Sequence, residues 1–539
     1  MLKKITPWFK SNYGLIITLV FFLAVALFNF TEQGLVNWDE AYFVVVTRTY
    51  TGLFKTAVTH PADLFSTRYY RDLIGHYGNI YTAARPSYII PAAVLGLIVP
   101  DKYSTRLLSL LAGLLAVIYF YRLCGLLNLK QHVRLAATFL LAASPLFLSY
   151  SRLGLSQLFS AAWLIVAMYY LLEYHHHEKI KNLGKAGLAL SILLMSHYNT
   201  LIVVGGLFAA GIFFIFQKRK PWKEYLVFAL FFLMLPAGYE VVTRAGVAVA
   251  AAAGLQGPGG NLPIFSYVQE ILEQFNRNGP QPPSSPELML YYLKLMISPE
   301  GLIFFILFLS GLAVFCKKLI KNNFLILLIP VLLHLVFFSL VGIKFTRNLV
   351  TILPALYIFP VLALEVVVDF LKPRLIRFRA LTAAIFITFF PAVFLVNCIQ
   401  YSSLLTIRTH FREVAAYITN NFPKDDTLIF SASAPFWRVY LPEYRSEMTR
   451  KIPDGCRDNS GKNIVFIADY FHTIYEHEDS ALLDACSKRP LREWSTNIFS
   501  ARAIVLDFIF QSEADNEAMF AANTPSSPVT VYALSPPAE

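Results

Sequence analysis

Charge is scarce in this chain of 539 residues: 15% are charged and 56% are hydrophobic. With a mean hydropathy of +0.54, that excludes an ordinary soluble domain and leaves a polytopic membrane protein. Cysteine is scarce too, with five residues and no CxxC pair, so zinc and dithiol readings find no support. Cys456 and Cys486 are the two in the polar C-terminal stretch. A disulfide between them stays open, conditional on that stretch lying outside the cytoplasm. There is no P-loop, dinucleotide fingerprint or internal repeat, so chemistry driven by ATP or NAD has nothing to stand on.

What the chain does have is apolar runs and basic punctuation. The net charge of +12 would suggest nucleic acid in a soluble protein. Here the basic residues cluster between apolar runs, as at Lys3-Lys4, Lys218 to Lys220, Lys317-Lys318 and Arg374 to Arg379. That is the signature of topology and lipid headgroups, not of nucleic acid. At about 20 residues per crossing, runs fall near 14–31, 104–123, 134–150, 155–173, 184–197, 199–216, 223–242, 300–316, 323–342, 347–370 and 379–400. The N-terminal run, without a small-residue cleavage site, reads as a retained signal-anchor.

The run from Pro86 to Val99 is short and carries prolines at both ends and within. Counting it as juxtamembrane or re-entrant, with the N-terminus in the cytoplasm, places the later basic loops inside as well. The expected fold is therefore a polytopic α-helical membrane protein of about 11 spans plus juxtamembrane helices. Its membrane domain covers 1–407, with outer loops at 32–103 and 243–299. From about Arg408, alternating runs such as TLIFSA, NIVFIADY, ARAIVLDFIF and VTVYAL alternate with helical segments such as HFREVAAYITNNF. They predict a small extracytoplasmic α/β domain at 408–539.

On this topology the outer face carries the chemistry. Asp39 and Glu40, in GLVNWDEAYF, come directly after the first span. Adjacent carboxylates repel, and a buried pair holds protons more tightly, as a general base for a hydroxyl requires. The competing reading is that they cap a helix starting near Ala41. The stretch RYYRDLIGHYGNIY, with Tyr69, Tyr70, Arg71, His76 and Tyr81, has the rings and donors of a sugar-binding surface, or of an interfacial aromatic belt. His197 and Tyr198, in SHYNT, either line a cavity or make a satisfied polar kink. His175 to His177 fall beside Lys179 and Lys181 and read as a solvated cytoplasmic loop.

The order of five motifs carries a resemblance: WDEAYF, ARPSYI, RLLSLLAGLLAVIYFYRL, ASPLFLSYSRLGL and KFTRNLVTILPAL. Together they resemble the GT-C glycosyltransferases, in the branch of protein O-mannosyltransferases and lipid A aminoarabinose transferases. The resemblance implies that Asp39, with Glu40 beside it, is the catalytic base. It implies a sugar donor on a polyprenyl phosphate, attacked at the anomeric carbon with inversion by a lipid, glycan or protein hydroxyl. Cations must then meet the leaving phosphate, and Arg85, Lys344 and Arg347 are the candidates; for Lys344 and Arg347 the alternative is interfacial snorkelling.

The chain departs from the family pattern at Ser156-Gln157, where many relatives have a second acid. No cofactor is fixed by the sequence, and a divalent cation remains open. The expected location is a prokaryotic inner membrane, with the C-terminal domain extracytoplasmic. Competing functions are a transporter or flippase of lipid-linked sugars, which should show repeated halves and midplane charges, and a non-catalytic membrane scaffold.

Overall fold

The structure, a computed structural model, describes residues 2–66, 85–252, 266–268, 271–272, 289–297, 301–318, 325–341, 346–375, 405–453, 456, 461–472, 486–498 and 527–536. It divides into two compact units, one of residues 1–27 with 49–401 and the other of 28–48 with 402–539.

The first unit is helical: α1 (Leu2–Leu27), the latter part of α2 (Trp38–Thr59), α3 (Pro86–Leu95), α4 (Asp101–Leu126), α5 (Gln131–Ala142), α6 (Pro145–Ser151), α7 (Ser156–His177), α8 (Ile180–Ser196), α9 (Leu201–Gln217), α10 (Trp222–Ala252), α11 (Tyr291–Ile297), α12 (Leu302–Lys318), α13 (Leu325–Leu340), α14 (Thr346–Leu356) and α15 (Ile358–Leu375). α7 packs against α4, α8 and α14, and α8 in turn against α10. Burial separates interior from lipid-facing helices. The apolar window of Thr346–Val367 is 83% buried, that of Trp222–Ala245 only 11%. The exposed face of the latter, with Leu230, Leu233 and Met234, suits lipid because a tail is as apolar as leucine.

Five helices among the described residues are long and apolar enough to cross a membrane, or up to seven if each bent pair is one span. The count leaves out shorter apolar helices such as Leu325–Leu340, whose 16 residues reach about 24 Å of a core about 30 Å thick, so it does not test the expectation of about eleven. The run placed at 379–400 lies outside the described residues. The break between α5 and α6 is a 59° bend made by Ser144-Pro145: the serine side chain accepts from Phe147 N, and the proline takes the first helical turn, where its missing N–H is harmless. α3 is a ten-residue helix, about 15 Å long. The close crossing of α12 and α15 needs Gly311, since a Cβ there would run into the backbone of Phe359.

The second unit holds residues 28–48, α16 (Phe411–Asn421), β1 (Thr427–Ser431), α17 (Ala434–Tyr440), β2 (Arg445–Met448), β3 (Asn463–Ala468), β4 (Ser487–Thr496) and β5 (Ser527–Ser535). The sheet order is β2-β1-β3-β5-β4. β2, β1 and β3 are parallel, while β5 runs antiparallel to both β3 and β4. Interior strand β1 is buried along its whole length, as a strand covered on both faces must be. β4 is an edge strand holding Lys488, Arg489 and Pro490, residues that discourage further pairing. A Cys456–Cys486 disulfide, with Cα atoms 5.7 Å apart, sits among Leu428, Phe430, Ile464 and Phe466 on one face. The run ARAIVLDFIF lies outside the described residues.

Candidate functional site

The two adjacent acids sit in the second unit and have different surroundings. The helix starts at Trp38, three residues before the expected Ala41. Asn37 caps it, its Oδ1 accepting from Asp39 N at 2.9 Å. Glu40 reaches back: its Oε2 accepts from Val36 N at 2.9 Å and Asn37 N at 3.5 Å. This is the reciprocal geometry of a capping box, and Glu40 is fully buried at 0% exposure. Asp39, one residue earlier, is half-buried. The capping reading thus describes Glu40, whose carboxylate is engaged by backbone, and leaves Asp39 as the acid with partial access to solvent.

The loop before the acids is held by the sheet domain. Tyr440 Oη accepts from Leu35 N at 3.0 Å, and Tyr470 Oη donates to Val36 O. Arg48 donates to the carbonyls of Arg438 and Val439 at 3.0 and 3.2 Å, closing the C-terminal end of α17. Gly34 has φ +71°, and a Cβ there would overlap Thr409 Oγ1; a residue with a side chain is unfavourable on both counts. Burial pushes Tyr470 well above the usual phenol range, with Asp469 and Glu40 adding to it, so it stays a donor.

In the first unit a polar cluster lies among apolar helices. Arg85, buried at the start of α3, places Nη2 2.9 Å from His197 Nε2. A guanidinium and a backbone N–H can only donate, so both ring nitrogens of His197 face a donor, Nε2 that of Arg85 and Nδ1 that of Asn199 N at 3.1 Å, and the ring is not an imidazolium. His197 also feels the charge of Arg347, which is half-buried in the first turn of α14. Asn199 Nδ2 donates to Asn348 Oδ1 at 2.7 Å, and Asn348 Nδ2 to Tyr292 Oη at 3.2 Å. His334 Nε2 donates to Asn348 O at 3.2 Å. Tyr198 is half-buried with its ring 4.6 Å from that of His197.

Of the expected residues, Arg85, His197, Tyr198 and Arg347 are thus brought together. Lys344, Tyr69, Tyr70, Arg71, His76 and Tyr81 lie outside the described residues. Asn199, Asn348, Tyr292 and His334 were not singled out from the sequence, although Asn199 and Asn348 lie inside the motifs SHYNT and KFTRNLV. His175 to His177 form the last turn of α7.

Ser156 and Gln157 open α7 and are buried. The Ser156 hydroxyl and both ends of the Gln157 amide have no hydrogen-bond partner among the described residues. Near them, Arg106 Nε donates to Arg152 O at 2.7 Å, and Ser109 Oγ to Leu155 O at 3.0 Å, which pins the turn before α7 to α4. Among the described residues no group of three His, Cys, Asp or Glu could hold a metal ion.

Residues 87–239 match the family described as dolichyl-phosphate-mannose-protein mannosyltransferase. ArnT from Cupriavidus metallidurans in the apo state superposes with a TM-score of 0.58 at 13% identity, covering 90% of this chain and 96% of that one. The fold is that of the GT-C glycosyltransferases. ArnT bound to undecaprenyl phosphate gives 0.57 at 14% identity over 89% of this chain and 96% of its own. Archaeal oligosaccharyltransferase AglB from Archaeoglobus fulgidus, in complex with an inhibitory peptide and a dolichol-phosphate, gives 0.50 at 14% identity over 90% and 73%. A comparison with curated proteins finds no match. With these likenesses and its apolar helices, the chain is an integral membrane protein.

Proposed function

We propose that the chain is an integral-membrane glycosyltransferase that moves a sugar from a polyprenyl-phosphate carrier to a lipid, glycan or protein hydroxyl on the extracytoplasmic face. The observation that carries this reading is the grouping of Arg85, Arg347 and a neutral His197 within a GT-C fold. Ionisable groups buried among membrane helices are costly and mark function, and two guanidinium groups suit a phosphate. The solved relatives that hold undecaprenyl phosphate and dolichol-phosphate support the same carrier class.

In the reaction, the acceptor oxygen forms a bond to the anomeric carbon as the bond from that carbon to the phosphate oxygen breaks. Asp39 takes the hydroxyl proton. The leaving polyprenyl phosphate keeps the electron pair, and Arg85, Arg347 and Lys344 counter its charge. Glu40 holds the turn that presents Asp39. The Cys456–Cys486 bridge favours an oxidising compartment for the C-terminal domain, in keeping with a prokaryotic inner membrane and a C-terminus outside the cytoplasm.

The test is transfer by the full chain in lipid nanodiscs, given a panel of labelled polyprenyl-phosphate sugars and membrane acceptors. Label should pass to an acceptor with wild type and not with Asp39→Asn. Full activity in that variant removes Asp39 as base. Passage of lipid-linked sugar across vesicles without consumption of any donor replaces the transferase reading with a transporter.

A further inference from the structure

The C-terminal α/β unit has a feature that sheet domains of this kind use for ligands. From β1 the chain crosses to β2 on one side, and from β3 it continues toward β4 and β5 on the other. Where neighbouring parallel strands send their connections apart, a crevice opens beyond their carboxyl ends, and open α/β sheets bind ligands there. In this unit the crevice residues are spoken for. Ser431 at the end of β1 and Ser433 beyond it both donate to Asp469 Oδ2 at the end of β3. Asp469 Oδ1 accepts from Phe471 N at 2.9 Å. These bonds fix the turn carrying Tyr470, whose hydroxyl holds Val36 O. Tyr440, at the end of the helix that follows β1, holds Leu35 N. One ring, Phe411, packs against both tyrosines, at 5.9 and 6.0 Å between centroids, and is itself fully buried.

We infer that this crevice binds the chain's own segment 34–37 in place of a diffusible ligand, making the α/β unit the positioning device for Asp39, with Tyr440 and Tyr470 as positioning residues. The tyrosines grip one N–H and one C=O of the segment, and Glu40 grips the next two N–H groups. Together they fix the start of the helix on which Asp39 stands. Catalysis is sensitive to such placement, since a shift of about 1 Å in a reacting group can cost about a hundredfold in rate.

The inference rests on the proposed role of Asp39, and its test has one arm that needs no catalysis. In the full chain in nanodiscs, Tyr440→Phe/Tyr470→Phe should speed amide exchange at residues 35–37 about tenfold, while exchange in β1 and β3 stays as in wild type. Unchanged exchange at 35–37 overturns the grip. In the transfer assay the same variant should lower kcat about tenfold or more with donor KM within about twofold. Val465→Ala, in the centre of β3, should lower the unit's Tm yet leave kcat near wild type.

Loosened exchange with an unchanged kcat overturns the positioning role. So does a kcat that falls in step with Tm in all variants alike. A wild type that consumes no donor fails the transferase reading instead, and the exchange arm still decides whether the crevice holds the segment.

Discussion

Around Asp39, in the unit of residues 28–48 and 402–539, the polar groups end on backbone: Glu40 on two amides, Tyr470 on a carbonyl, Arg48 on two carbonyls. In the unit of residues 1–27 and 49–401 the groups of the Arg85 cluster pair with one another through side chains, and the Gln157 amide, the Ser156 hydroxyl and His334 Nδ1 have no partner among the described residues, as Trp437 Nε1, Ser446 Oγ and Thr449 Oγ1 have none in the other unit. A buried polar group without a partner costs about 1–3 kcal/mol. A fold keeps such groups where something else meets them, water or a ligand. Around Asp39 the satisfied groups hold a residue in place, whereas the unpartnered amide of Gln157 is a group that a substrate can meet.

The largest effect should separate the two adjacent acids. Asp39→Asn is expected to reduce transfer by about a thousandfold with little change in Tm. Glu40→Ala removes a buried cap and should cost about 1–2 kcal/mol of stability, read as a lower Tm of the C-terminal unit. If Asp39→Asn destabilises and Glu40→Ala does not, the assignment of base and cap is reversed.

Next comes the cation cluster. Arg85→Met keeps the apolar stem and removes the charge, so donor KM should rise about a hundredfold or less, with a smaller fall in kcat. A KM unchanged within twofold would assign Arg85 to packing His197 alone. Smaller again is Gln157→Leu. Replacing an unpartnered amide with an apolar group of similar size should be neutral or stabilising. If the amide faces substrate, transfer should nonetheless fall about fivefold to tenfold, as for the loss of one hydrogen bond. A gain in Tm without loss of activity would break the link between leftover polarity and substrate.

How much of this was legible in the sequence follows from the range of the forces involved. Helices such as Asp101–Leu126 and Ser156–His177 show in composition, because lipid demands a continuous apolar run. So do β1, β3 and β5, whose short apolar or alternating runs are local. β2 is four residues, RSEM, and β4 is SKRPLREWST; neither has an apolar pattern, and both pair only because a neighbouring strand offers them an edge. The Arg85–His197 contact joins residues 112 apart, and no periodicity encodes such a contact. Arg85 stands in the ARPSYI motif and His197 in the SHYNT turn, and neither stretch encodes their pairing. The tyrosine grip on residues 35 and 36 spans more than 400 positions and left no trace in the sequence beyond two ordinary aromatics. Glu40 was legible as a cap in kind, since an acid three residues after Asn37 is a capping-box pattern, yet adjacency to Asp39 made the two look alike.

The smallest effect concerns pH and tests the satisfied side of the comparison. Asp469 is buried, and burial raises its carboxyl to about 6 against hydrogen bonds from Ser433, Phe471 and Ser431 that pull it down. A group whose pKa is higher folded than unfolded binds more protons in the folded state. Its contribution to stability is therefore fully present below the unfolded value of about 4, declines as pH rises through about 6, and is constant above. The Tm of the C-terminal unit should fall gently across that window in wild type and be flatter in Asp469→Asn. An equal slope in the two proteins would mean that the hydrogen bonds from Ser431, Ser433 and Phe471 outweigh burial and keep Asp469 ionised. The turn that carries Tyr470 would then be held by a carboxylate across the whole of that window.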